Sequence, residues 1–136
     1  MIIYKQYVGR WASEITEEFK QNIEIKLLPV INGLIEHLQN RGIIFSINPN
    51  TSSIISGSTL GGFRPQTTSV GAAKSNHKKG LAVDIYDPQK DIGKWCLNNE
   101  SILAEFDVFV EHPNYTNNWC HFQVVPPASG RRIFIP

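Results

Sequence analysis

The chain has 136 residues, 41% of them hydrophobic and 18% charged, with a net charge of +1. That length and apolar content suit one domain over 1–136 that buries about two-thirds of its unfolded surface, so neither a disulfide nor a metal is required merely to fold. The near-neutral balance supplies no basic stripe for nucleic acid and no acidic tail, and it is not the composition of a disordered segment.

The opening stretch MIIYKQYVGRWASEITEEF has no long apolar region and no small-residue cleavage site, so it does not read as a secretory signal. With no run of 18 apolar residues, no membrane span is expected, and the protein reads as made in the cytoplasm. Residues 12–41 carry the helical pattern. Ser13 and Thr16, with Glu14, Glu17 and Glu18 nearby, suit a helix start, because acidic groups favour the N-terminal end of the helix dipole. Pro29 is expected to interrupt. A second helix then carries Val30, Ile31, Leu34, Ile35 and Leu38 as one stripe and closes at Arg41-Gly42. His37 lies just off that stripe and reads as a partly exposed helix residue.

After Gly42 the period changes. IIFSIN (43–48) reads as a strand, NPNTSS (48–53) as a turn, and SIISGSTLGGFRP (53–65) as a second strand ending in glycines. QTTSVGAAKSN (66–76) reads as a polar loop. LAVDIYD (81–87) is a third strand, and residues 90–105 form a helix with Ile92, Trp95, Cys96, Ile102 and Leu103 inward. VFVE (108–111) and WCHFQVV (119–125) are further strands separated by HPNYTNN. Helices first and strands afterwards predict an α+β fold, N-terminal helices packed on a mainly antiparallel sheet. Cys96 and Cys120 have no Cys-x-x-Cys spacing and read as small buried residues, with a disulfide between them left open.

The stretch SNHKKGLAVDIYD (75–87) concentrates the chemistry. Gly80 permits a sharp turn between His77 and the strand that holds Asp84. On that strand Ala82 and Asp84 share one face, and a carboxylate among apolar neighbours is costly unless it is paired or coordinated. Downstream, WCHFQ puts Trp119, His121 and Gln123 on one face. Two histidines and an aspartate at or near strands make a three-ligand set of the kind catalytic zinc takes, with a fourth position open. The alternative for each residue alone is ordinary: His77 in a loop, Asp84 paired with a lysine, His121 a satisfied core histidine.

Ser75-x-His77-x-x-Gly80-x-Ala82-x-Asp84 followed by Trp119-x-His121 resembles the signature of the M15 peptidases, the zinc enzymes that include D-alanyl-D-alanine carboxypeptidases and phage endolysins. GGFRP (61–65) is similar to that family's Ser-Gly-Tyr-Arg segment, and the likeness covers roughly residues 54–125. The resemblance implies an α+β fold, shared with hedgehog signalling domains, and one Zn2+ per chain. It also implies hydrolysis of a peptide bond in bacterial peptidoglycan stem peptides. Carried over by position, it implies that His77, Asp84 and His121 hold the zinc and that Arg64 faces a carboxylate of the substrate. Ser75 and Trp119 recur in the signature, so they are expected to orient ligands or line the substrate pocket.

A carboxylate base should stand near the reacting water, which zinc activates near neutral pH. Many members carry an acidic residue three positions before the last histidine, but here that residue is Asn118. Another branch has a glutamate closing the preceding strand, and FVEHPNYTNNWCHF matches it with Glu111; His112 is the rival. Asp87, Asp91 and Asp107 fall in turns or at helix ends, where capping accounts for them. Lys78 and Lys79 read as a solvated turn. Without a leader, the expected role is a phage lysin, released to the wall by a holin or carried in the virion with other tail proteins. A hedgehog-like binding module and a structural virion protein with a decayed site are the alternatives.

Overall fold

In the computed structural model, residues 1–70 and 75–136 are described, so residues 71–74 of the expected 66–76 loop lie outside them. The N-terminal half is helical. A first helix, α1 (Tyr4–Val8), which the sequence pattern missed, leads through a 3-10 turn (Gly9–Glu14) to α2 (Glu17–Gln21). Thr16 caps α2, its hydroxyl accepting the Phe19 N–H at 3.2 Å, with Glu17 and Glu18 in the first turn. A π-helical turn (Asn22–Leu27) then joins α2 to α3 (Leu28–Asn40). Pro29 therefore does not break the helix. It sits in the first turn of α3, where its missing N–H costs nothing, and the wider winding before it re-spaces the backbone bonds. Ile31, Leu34, Ile35 and Leu38 are buried as their spacing predicts, and Gly42 (φ +85°) follows the last turn.

The second half contains a four-stranded sheet in the order β1-β3-β2-β4. Its strands are β1 (Ala82–Tyr86), β2 (Phe109–Glu111), β3 (Trp119–Gln123) and β4 (Ile133–Phe134). β3 pairs antiparallel with both β1 and β2, while β2 and β4 run parallel, so the α+β fold carries a mixed sheet. Val83, Ile85, Val110, Cys120 and Phe122 join the buried side chains of the helices in one hydrophobic cluster. Cys96 and Cys120 belong to that cluster as free thiols.

Two expected strands are not formed. Among the described residues, 43–48 and 53–65 form no strand, and their ladder contacts are the isolated bridges Asn48–Ser53 and Ile55–Ile85. Ile44 and Ile47 stay exposed, because the free edge of β1 is taken by backbone from further along the chain. Ser56 N–H donates to Asp84 O, Asp84 N–H to Gly61 O, and Tyr86 N–H to Ile54 O. The expected helix over 90–105 divides into α4 (Asp91–Leu97) and α5 (Glu100–Glu105). Between them the Asn98 and Asn99 amides donate to the carbonyls of Lys94 and Trp95, competing with continued winding. Asp87 serves as a cap, accepting the N–H groups of Ile92 and Gly93 ahead of α4.

Candidate metal centre

His77 is held in a 3-10 turn (Asn76–Lys79) whose first N–H groups are capped by Ser75: the Ser75 hydroxyl accepts the His77 N–H at 3.3 Å. Gly80 reverses the chain at φ +74°, and a Cβ there would stand 2.6 Å from Ile23 Cγ1, so glycine is required for both reasons. The turn delivers His77 over the start of β1. On the sheet the register sets Asp84 directly opposite His121, with Ala82 opposite Gln123 and Tyr86 opposite Trp119. Directly opposed residues on one face have Cβ atoms about 5 Å apart, close enough for the two side chains to meet.

They meet in a triangle. Asp84 Oδ1 lies 2.8 Å from His121 Nδ1 and 3.1 Å from His77 Nε2, and the two ring nitrogens are 3.3 Å apart. Each of the three side chains has its other polar atom occupied by protein. His77 Nδ1–H donates to Gly62 O at 2.8 Å. Because a carbonyl cannot donate, that bond fixes the proton on Nδ1 and turns the Nε2 lone pair inward. His121 Nε2 is 2.9 Å from Gln123 Oε1, and Asp84 Oδ2 accepts from Arg64 Nη2 at 3.1 Å. One nitrogen, one oxygen and one nitrogen are thus left to face a common point, so the group could hold a metal ion.

The electrostatics fit that use. Burial alone would raise the Asp84 carboxyl, but its close contacts with His77 and His121 hold it well below the usual carboxylate range. Burial lowers His77 more than Asp84 raises it, so its ring is neutral, the state a metal ligand needs. Burial also disfavours the charged form of His121, yet its bond to Asp84 outweighs that and pushes it up. Two acceptors 2.8 Å apart need a proton or a cation between them. A divalent ion would replace that proton.

Beside the triangle lies a cleft of about 340 Å³ lined by Ser56, Gly57, Leu60, Arg64, Asp84 and Trp119. Arg64 lines this cleft with its guanidinium bonded to Asp84, and its Nε–H donates to Leu60 O at 2.8 Å. Glu111 closes β2 on the same sheet face as His121, because Phe109 pairs with Gln123 and side chains alternate. It is half-buried. Burial raises its pKa, the His121 charge lowers it, Asp84 raises it and Arg64 lowers it, with an upward net shift. His112, in contrast, turns away: its Nδ1 accepts the Asn114 N–H at 3.1 Å, and its ring meets Tyr115 edge-on. Lys78 is not in a solvated turn. It is buried, with Nζ donating to Thr68 O at 2.9 Å, and only Lys79 is exposed.

Two features escaped the sequence pattern. Gly62 supplies the carbonyl that orients His77, and Gln123 supplies the oxygen that meets His121; the signal for Gln123 was its place two residues from His121 on one face. Compared with known proteins, the chain matches no family model, no curated protein and no solved structure.

Proposed function

We propose that this chain is a zinc-dependent peptidase that hydrolyses a peptide bond in bacterial peptidoglycan stem peptides, as a phage lysin acting on the wall. The observation that carries the reading is the convergence of His77 Nε2, Asp84 Oδ1 and His121 Nδ1, with each side chain's other polar atom tied to protein, beside an open cleft. The motif resemblance supports the same assignment. Zinc held there supplies Lewis acidity and makes hydroxide available near neutral pH. Glu111 is the base: its carboxylate takes the proton of the attacking water and hands it to the leaving amine. A carboxyl raised by burial is better matched to that return step than an ordinary one. Arg64 holds Asp84 Oδ2 in place at the edge of the cleft, while Leu60 and Trp119 wall the substrate side.

The test is release of amino groups from purified bacterial sacculi, with and without a chelator. Chelation should abolish release and zinc should restore it. Glu111→Gln should keep the zinc and lose at least about a hundredfold in turnover, within the range for loss of a positioned general base. His112→Ala should cost clearly less, since its imidazole is engaged with the Asn114 N–H. No release by the zinc-loaded protein would leave a binding module or a structural virion protein. A dead His112 variant beside an active Glu111 variant would make the imidazole the base.

A further inference from the structure

The two histidines of the triangle are fixed by different devices. His77 leans on a backbone carbonyl, which no substitution at that position removes. His121 leans on a side chain, and a side-chain amide can point either way. Gln123 is buried in the middle of the sheet, opposite Ala82 on one side and Phe109 on the other. Its Nε2 donates to Val125 O at 2.9 Å. A carbonyl accepts only, so this bond settles the orientation of the amide and turns Oε1 towards His121. Oε1 in turn accepts only, so His121 Nε2, 2.9 Å away, must carry a proton. The neutral ring then has its lone pair on Nδ1, the atom that faces Asp84 and His77.

From this relay, Val125 O to Gln123 to His121, we infer that Gln123 is the positioning residue that selects the His121 tautomer able to bind the metal. This rests on the metal reading of the site. Without an acceptor at Nε2, the neutral ring is free to place its proton on Nδ1, where it would point at the ion and exclude it. It also loses the hydrogen bond that holds this edge of the ring, leaving Asp84 and the ring contacts with His77 and Phe134 to orient it. Groups that orient metal-bound histidines in this way are worth about 10–100-fold in metal affinity.

Two substitutions separate positioning from mere packing. Gln123→Leu and Gln123→Glu are close in volume, and both lose the donor to Val125 O. Only Gln123→Leu loses the acceptor for His121. Zinc affinity is read by competition with a chromophoric chelator, and the His121 tautomer by long-range 1H–15N spectra of the zinc-loaded protein. Gln123→Leu should weaken zinc by about 10–100-fold. Gln123→Glu should hold zinc at least as tightly as the parent and keep the Nε2–H signature. Equal losses in the two variants, or no loss in either, would overturn the role of Gln123 while leaving the metal site intact. A parent protein that binds no zinc would overturn the site itself and this inference with it.

Discussion

Arg64 shows how far a single residue can be read from its motif. The resemblance puts an arginine near the substrate's carboxylate. In the structure its guanidinium holds Asp84 Oδ2, leaving Oδ1 alone to face the histidines. Removing it would leave a buried carboxylate oxygen without a donor, a loss of about 1–3 kcal/mol in stability. Arg64→Ala is therefore expected to weaken zinc binding about tenfold as well as turnover, on the scale of other groups that hold metal ligands. Chelator competition checks this. Unchanged zinc affinity with reduced turnover would return Arg64 to the substrate alone. His77, Asp84 and His121 were picked out by the motif resemblance, since each alone reads as an ordinary residue, and strand alternation agreed with it; the structure brings the three together as a group that could hold a metal. What tied each ligand was not legible, since the Gly62 carbonyl and the Arg64–Asp84 pair depend on a chain path that no local period encodes.

At the scale of elements, α3 and β3 were readable because one face of each is more deeply buried, and burial writes the period into the sequence. The segment 43–65 misled for the opposite reason. Its β-branched residues favour a strand, but pairing with β1 is taken up by Ile54, Ser56 and Gly61, so the apolar run at 43–47 stays outside the sheet. That edge is closed by a glycine pair. A Cβ on Gly61 would stand 2.2 Å from Ser56 O, and one on Gly62 the same distance from Tyr7 O, both backbone atoms that cannot swing aside. Gly62→Ala should therefore displace the carbonyl that orients His77. The expected result is a loss of about 1–3 kcal/mol in urea unfolding, typical of overpacking, together with weakened zinc binding. A variant with parental stability and zinc affinity would mean that the segment relaxes without moving the site. The short elements α1 and β4 were missed because five and two residues carry too little pattern to register.

For the whole molecule, the triangle links folding to pH and to metal. In the metal-free protein Asp84 titrates below its unfolded value of about 3.9. The unfolded chain thus binds the extra proton on acidification, and the stability Asp84 contributes, full above about pH 4, is lost as pH falls through that range. His77 is also shifted down, so it too favours the unfolded chain below its ordinary value of about 6.5. His121 is shifted up, and its contribution has the opposite sign: present below about pH 6.5 and lost as pH rises. The two histidines therefore act in opposite directions on either side of about pH 6.5, and below about pH 4 Asp84 adds its own loss. Metal-free stability, measured by urea unfolding under chelation, should accordingly fall on acidification below about pH 4. Asp84→Asn should be less stable at neutral pH and show a flatter acid limb. A zinc ion held there would have to displace the proton that His121 shares with Asp84, so the stabilisation that added zinc confers should shrink steadily from about pH 7.5 to about pH 5. A zinc effect independent of pH across that interval would mean that the ion binds elsewhere, away from His121 and Asp84.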